Sequence, residues 1–318
     1  MKAIQLTNPE DPRSLALVDT DLPQLRDGEV LVKVHAAGVN RGDLLQARGH
    51  YPPPPGASDI IGLECSGVIE DPGTTGRKAG EEVACLLAGG GYAEYVAVPE
   101  GQLMPIPAGY SLTEAASVVE AACTVWSNLG MLAGVRAGQT VLIHGGAGGI
   151  GTFAIQLCRQ LGATVAVTAG SAEKLEVCRE LGADILINYR EQDFAEELKG
   201  RCDVILDIIG AKYLRQNLRA LAEDGQLVII GLQGGVKTEI NLGALLPRRL
   251  SVRGTTLRAR SLAGKAEVVA STVEHVWPML SDARIAHRIH AVLPLAEAAK
   301  AHDLLDSGEV TGKIVLEA

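Results

Sequence analysis

The chain has 318 residues, 47% of them hydrophobic and 21% charged, with a net charge of −9. That length accommodates about two globular domains, and the composition excludes a disordered or fibrous chain. The acidic balance argues against nucleic acid or an anionic membrane as partner, because both require a basic face.

Aromatic residues make up only 3%, too few for a base-stacking platform. No segment approaches the ~18 uninterrupted apolar residues of a bilayer span. The start, MKAIQLTNPEDPR, lacks the apolar stretch of a secretory signal. Six cysteines, at 65, 85, 123, 158, 178 and 202, never form a C-x-x-C pair. Scattered in this way they read as reduced, buried thiols of a cytoplasmic enzyme.

In chain order, the first part reads as short strands between turns. In EVLVKVHAAG, Val30, Val32 and Val34 recur with the period-2 spacing of a half-buried strand. SGVIEDPG, GEEVACLL and GGGYAEYVAVPEG follow, each bounded by Gly or Pro. The expectation is a mostly antiparallel, barrel-like β domain. Inside it lies GHYPPPPGASDIIGLECSG, Gly49 to Gly67. Prolines 52–55 cannot be helical and favour an extended polyproline conformation, which stiffens the loop carrying Tyr51.

At SLTEAASVVEAACTVWSNLGMLAG the pattern becomes helical, and Ser111 with Glu114 has the spacing of a capping box. TVLIH (140–144) then leads into a helix at GIGTFAIQLCRQLGA, and TVAVT (164–168) into SAEKLEVCRELGA. DILIN, DVILD and QLVIIG continue the alternation. Near-continuous apolar runs separated by helices indicate parallel strands buried on both faces. PLAEAAKAHDLLDSG reads as an amphipathic helix and TGKIVLEA as a closing strand. The implied organisation is α/β: a β domain of 1–121 and 259–318 into which a parallel-sheet domain of 122–258 is inserted.

Gly146, Gly148 and Gly151 satisfy G-x-G-x-x-G directly after a strand and at the opening of a helix, the context that gives the motif meaning. Small residues let the backbone turn tightly and approach a pyrophosphate, whose charge rests on free N–H groups at the helix N-terminus. An NAD enzyme offers Asp or Glu about 20 residues further on, to bind the ribose 2′-hydroxyl. Here the strand tip reads VTAGSAEK, with Gly170, Ser171 and Lys174 and no acid at the tip. A hydroxyl, a helix amide and an ammonium suit a 2′-phosphate, so NADPH is the expected cofactor. Glu173 is read as facing solvent.

A zinc enzyme of this architecture needs Cys or His near position 40 and at 63, where this chain has Asn40 and Leu63. Leucine cannot coordinate zinc and asparagine is a poor ligand beside thiolate or imidazole, so no metal is expected. His287 and His290 are read as exposed beside Arg284 and Arg288. Without a Lewis acid the chemistry suits an acceptor polarised by its own conjugation, such as a quinone or an enone: hydride enters at one end and a proton at the other.

NRGDLLQARGHYPPPPGASDIIGLECSG, GGGYAEYVAVPEG, LIHGGAGGIGTFAIQL, VTAGSAEK, LGADILINYREQDF and GKIVLEA together resemble the zinc-free quinone oxidoreductase (zeta-crystallin-like) branch of the medium-chain dehydrogenase/reductase superfamily. Within it they are closest to the tumour-suppressor-inducible quinone oxidoreductase type. The resemblance spans essentially the whole chain. It implies a GroES-like catalytic domain, a Rossmann domain, a deep cleft between them, NADPH, and a homodimer formed through the cofactor domains.

Carried over, Gly146, Ala147, Gly148, Gly149, Ile150 and Gly151 would hold the pyrophosphate, and Gly170, Ser171 and Lys174 the 2′-phosphate. Tyr189 would lie against the adenine ribose, Thr124, Gly210, Gly231 and Leu232 would line the nicotinamide half, and Lys313 is a weaker match near the cofactor. Asn40 would contact the nicotinamide ribose or the substrate, and Tyr51 would position the substrate or donate a proton. The leading expectation is reduction of quinones or similar electron-poor carbonyls. The alternatives are an alkenal, vinyl-ketone or enoyl-thioester reductase with Tyr51 as proton donor, and a non-catalytic NADPH-binding or redox-sensing protein.

Overall fold

The computed structural model describes residues 1–318. In chain order its strands are β1 (Lys2–Leu6), β2 (Leu15–Asp19), β3 (Glu29–Val39), β4 (Glu64–Asp71), β5 (Glu82–Leu86), β6 (Tyr95–Pro99), β7 (Leu103–Pro105), β8 (Thr140–His144), β9 (Thr164–Ala169), β10 (Ile185–Asn188), β11 (Cys202–Asp207), β12 (Leu221–Ile229), β13 (Ser251–Gly254), β14 (Ile289–Pro294) and β15 (Lys313–Glu317). The α-helices are α1 (Arg41–Ala47), α2 (Leu112–Ala115), α3 (Val119–Val125), α4 (Gly149–Gln160), α5 (Ala172–Glu180), α6 (Phe194–Glu197), α7 (Leu214–Ala220), α8 (Leu262–His275), α9 (Trp277–Ser281) and α10 (Ala298–Asp306).

The chain divides into two units. The first comprises Met1–Cys123, Leu257–Ala283 and His287–Ala318, and the second Thr124–Thr256 with Arg284–Ala286. The short return at 284–286 has no sequence signal. Its cause is the Gln156 side chain of α4, which donates to the Ala286 carbonyl at 2.9 Å and accepts from its N–H at 2.8 Å.

In the first unit the order β14-β15-β3-β4-β5-β7 forms one sheet, with β6 also paired to β3. All its pairings are antiparallel except β14–β15. Val30, Val32 and Val34 of β3 point into its core with Ile69, Val83, Val96 and Val98, as their alternation requires. The second unit is a six-stranded parallel sheet of order β10-β9-β8-β11-β12-β13. This is the doubly wound Rossmann order, with its switch point between β8 and β11. The apolar runs Val141–Ile143 and Val165–Val167 are buried, because helices cover both faces of such a sheet.

The helical stretch from Ser111 is not one helix. Ser111 and Glu114 do form a capping box, but α2 stops at Ala115 and α3 starts at Val119. Ser117 Oγ binds back to the Glu114 carbonyl at 2.8 Å, a local competitor of helical pairing. The new start is stabilised from a distance by Glu64 Oε2, which accepts from the Glu120 N–H at 2.8 Å.

All six cysteines are buried and free. Cys65 faces Cys85 across β4 and β5, and that neighbour together with burial pushes its thiol well up. The expectation for His287 needs correction. His290 is exposed, but both ring nitrogens of His287 are shielded from solvent. Its ring turns in toward the Ser117 backbone, and burial, with Lys313 nearby, lowers its pKa to about 3. The arginines that suggested a surface site, Arg284 and Arg288, do face outward.

Candidate active site

In the first unit a buried polar cluster stands at the end of β3. Lys313, 4% exposed, pairs with fully buried Glu64 at 2.5 Å and donates to Asn40 Oδ1 at 2.6 Å. Asn40 Nδ2 donates to the same Glu64 oxygen at 2.9 Å. With its oxygen taken by an ammonium and its nitrogen by a carboxylate, the Asn40 amide has one allowed orientation. Asn40 also caps α1 reciprocally with Asp43, whose Oδ2 accepts from the Asn40 N–H at 2.7 Å. Tyr92 donates to the same Asp43 oxygen at 3.1 Å. Burial raises Asp43 to about 7, against the opposing pull of these hydrogen bonds. Lys313, expected near the cofactor, thus has its ammonium committed to Glu64 and Asn40.

Tyr51 lies in the proline loop, which is extended and bent with no helix. Its ring passes over Gly42, where an added Cβ would stand 2.8 Å from Leu63 Cδ1 and 3.3 Å from the Tyr51 ring. Leu63 is buried, so position 63 gives an apolar floor close to the tyrosine. Arg258, which the sequence reading did not single out, binds this loop. Its guanidinium lies 4.9 Å from the Tyr51 ring centroid and donates to the Tyr51 carbonyl at 2.8 Å. No group of three or more His, Cys, Asp or Glu side chains is placed to hold a metal ion.

In the second unit β8 runs into the glycine loop and α4. Gly145 and Gly146 both donate to the Thr168 carbonyl of β9, at 3.1 and 3.0 Å, so the loop hangs on the neighbouring strand. At Gly151 a Cβ would meet the Gly145 carbonyl oxygen at 2.3 Å and the Gly146 backbone at 2.6 Å. At Gly148 it would meet only that oxygen, at 3.5 Å. Helix and loop are therefore in close contact at Gly151, whereas Gly148 leaves room on the side of the helix N-terminus. The first intrahelical bond is Thr152 N–H to Gly148 O, so the N–H groups of Gly149, Ile150 and Gly151 have no partner within the helix. With Ala147, they form a cradle that fits a phosphate-bearing cofactor.

Under this loop runs a hydrogen-bonded chain of fixed polarity. Asp207 accepts from the N–H groups of Ile209 and Gly210, at 2.7 and 3.1 Å, and from Asn217 Nδ2 at 3.1 Å. Asn217 Oδ1 meets His144 Nε2 at 2.8 Å, and His144 Nδ1 meets Thr168 Oγ1 at 2.9 Å. Because Asn217 spends its N–H on Asp207, His144 donates from Nε2, and with burial keeping the ring neutral its Nδ1 accepts from the Thr168 hydroxyl. Burial lowers His144 to about 4 and raises Asp207 to about 6. The chain ties β8, β9 and β11 together at their C-terminal ends, where doubly wound sheets bind ligands.

Gly170 and Ser171 follow β9. Ser171 caps α5 by accepting from the Lys174 N–H at 3.3 Å. A Cβ on Gly170 would meet the Tyr189 hydroxyl at 2.6 Å and Arg190 Nε at 3.4 Å. Arg190 is a second cation that sequence reasoning missed, although it adjoins Tyr189 in INYRE. Glu173 is exposed, as expected. Its own backbone N–H and the Ser171 hydroxyl hold its carboxyl below the usual range, so it sits on the donors that a 2′-phosphate would use.

At the ends of β11 and β12, Gly210 has φ +77°, a conformation that favours glycine. A Cβ there would stand 2.8 Å from Leu232 Cδ2 and 3.3 Å from the Gly231 carbonyl. Gly210, Gly231 and half-exposed Leu232 are thereby brought together. Thr124, largely buried, is held by Asn128, which donates to its carbonyl at 2.8 Å.

Two family models match the chain: the alcohol dehydrogenase GroES-like domain over residues 26–108 and the zinc-binding dehydrogenase over 149–272. Pig (Sus scrofa) quinone oxidoreductase is 30% identical over 99% of this chain and 97% of its own length. The phthioceranic/hydroxyphthioceranic acid synthase of Mycobacterium tuberculosis is 32% identical over 98% of this chain, which spans 15% of that protein's length. Among solved structures, the Escherichia coli quinone oxidoreductase complexed with NADPH superposes with a TM-score of 0.90 at 27% identity, covering all of both chains. An NAD-dependent alcohol dehydrogenase superposes at 0.86 with 29% identity, again over both whole chains. The chain belongs to the quinone oxidoreductase branch of the medium-chain dehydrogenase/reductase superfamily.

Proposed function

We propose that the chain is a metal-independent, NADPH-dependent reductase of quinones or similar electron-poor conjugated carbonyls. The observation that carries this reading is the pairing of buried, apolar Leu63 with Tyr51 where zinc dehydrogenases carry a ligand. An apolar floor and a phenol suit a flat acceptor whose own conjugation takes up the electrons. Asn40, held in one orientation by Lys313 and Glu64, and Tyr51 contact that acceptor. The cradle from Gly146 to Gly151 takes the pyrophosphate; Gly170, Ser171 and Lys174, with Arg190, take the 2′-phosphate. Tyr189 lies against the adenine ribose, and Thr124, Gly210, Gly231 and Leu232 enclose the nicotinamide. When bound, NADPH supplies the hydride. The accompanying proton comes from Tyr51 or from water.

Steady-state assays separate the alternatives. NADPH is expected to be oxidised by a quinone, with no reduction of NAD⁺ by a simple alcohol, and Tyr51→Phe is expected to lower quinone kcat/KM by about 100-fold, the low end of general acid contributions. Abolished enone turnover in Tyr51→Phe, with no quinone turnover in the wild type, would assign the enone reductase instead. Absence of turnover with every acceptor would leave a binding or sensing protein.

Cofactor choice has its own expected result. Replacing Glu173 with glutamine removes a negative charge from the donors of α5 and should raise the NADPH:NADH affinity ratio about three-fold, an exposed-charge effect that shrinks in salt. An unchanged ratio would place the 2′-phosphate elsewhere.

Two copies are proposed to pair through the second unit. Its β13 is an edge strand, with Val236, Leu242 and Leu246 strongly exposed nearby in sequence. A monomeric mass in sedimentation would remove this part.

A further inference from the structure

Arg258 is 3% exposed, yet none of its hydrogen-bond acceptors carries a charge. Nε donates to the Ala88 carbonyl at 2.8 Å, Nη1 to the Tyr51 carbonyl at 2.8 Å and Nη2 to Gln46 Oε1 at 2.6 Å. Burying a guanidinium without a contacting carboxylate is costly, and burial lowers its pKa. Evolution of a core favours Leu or Met at such a place unless the fork itself is needed. Here the fork ties Tyr51 and Gln46, whose segment is already closed by Gly49 N–H to the Gln46 carbonyl and His50 N–H to the Leu45 carbonyl, to the strip at Ala88.

Gln46 extends the arrangement. Its Oε1 is taken by Arg258, which directs Nε2 to the Asp59 carbonyl at 2.8 Å. The loop from Gly49 to Asp59 is therefore fastened near its start by Arg258 through Tyr51, and at its finish by Gln46. Ala88, the third acceptor, precedes Gly89, where a Cβ would stand 2.3 Å from the Ser58 carbonyl. Gly90 donates to the Ile60 carbonyl at 2.7 Å. The segment beyond the prolines thus rests on the strip that Arg258 also holds. Prolines 52–55 stiffen what lies between.

We propose that Arg258 is a positioning residue for acceptor reduction: one buried planar fork, binding Tyr51, Gln46 and Ala88 together, sets where the Tyr51 ring and hydroxyl stand. The inference rests on the reading of Tyr51 given above. Arg258 acts through the tyrosine. Its guanidinium lies over the ring at 4.9 Å, within the ~6 Å of a cation–π contact, so both the ring's tilt and its backbone are fixed by the same group. Lysine, with a point charge on a flexible stem, cannot satisfy three divergent acceptors at once.

The test uses the full chain with Arg258→Met, Arg258→Lys, Tyr51→Phe and the Arg258→Met/Tyr51→Phe double variant. Two readouts are taken: quinone kcat and KM, and amide hydrogen exchange at Gly49, His50, Tyr51, Gly56, Ala57 and Ser58. Arg258→Met is expected to lower kcat about 30-fold, within the range for small misplacements of reacting groups, with the NADPH dissociation constant changed less than two-fold. In the Tyr51→Phe background the same substitution should cost less than three-fold, because the hydroxyl it positions is gone. Arg258→Lys should remain close to Arg258→Met.

An equal loss in both backgrounds, or full activity in Arg258→Lys, overturns the proposal, since it would mean a general structural or purely electrostatic role. If the wild type reduces no acceptor, the functional reading falls. Exchange still decides the placement: at least ten-fold faster exchange in that segment for Arg258→Met upholds it and an unchanged pattern refutes it. Should Arg258→Met not fold, Gln46→Met, which removes one acceptor and the Asp59 tie, is expected to give a smaller loss of the same sign in both readouts; no loss refutes the proposal.

Discussion

Replacing Lys313 with methionine is expected to destabilise the first unit by about 3–5 kcal/mol, the range for breaking a buried ion pair on one side only. Glu64 is fully buried and Lys313 nearly so, so the carboxylate left behind keeps Asn40 and the Glu120 N–H as partners but no countercharge. The double variant Glu64→Gln/Lys313→Met should be more stable than Lys313→Met alone, because it removes the orphaned charge and keeps an acceptor for the Glu120 amide. Denaturant unfolding of the three proteins measures this. A loss below about 1 kcal/mol for Lys313→Met, the scale of a surface pair, would mean that the pair is solvated and that Asn40 is not held by it.

The second large effect concerns the glycine loop. Gly151→Ala places a methyl 2.3 Å from the Gly145 oxygen and 2.6 Å from the Gly146 backbone, and neither neighbour is a flexible side chain that can move aside. The loop must shift, and NADPH affinity is expected to fall about 100-fold, some 2.7 kcal/mol. Gly148→Ala is the informative control. Its methyl meets only an ordinary contact at 3.5 Å, so the protein should fold unchanged. Any loss of NADPH binding in that variant then reports a ligand lying against Gly148. Fluorescence titration with NADPH gives both numbers; wild-type affinity in Gly151→Ala would remove the loop from the cofactor site.

The parts of this structure legible in the sequence are those written in local patterns. TVLIH and TVAVT are apolar because both faces of a parallel sheet are covered, and they appear as β8 and β9 at the expected residues. The helix start at Ser111 was readable from Ser and Glu three apart. What a local pattern cannot carry is pairing between distant side chains. Glu64 and Lys313 are 249 positions apart, and Arg258 is 207 from Tyr51; nothing in their immediate neighbours announces either partnership. The break between α2 and α3 is of the same kind, since its cap comes from Glu64 on another strand. His287 misled for a related reason. Its flanking arginines are exposed, but its own ring turns to the Ser117 backbone, a direction that flanking charge does not encode.

The interleaving of the two units sets an order for biosynthesis. The parallel sheet is complete once residue 254 has been made, so it can assemble on the ribosome while the chain is still growing. The other unit must wait. Its β3 lacks the β15 neighbour, and Glu64 lacks its ammonium, until Lys313 emerges. During that interval a nascent chain holds an unpaired strand flank, the kind of edge on which wrong strand pairing can start.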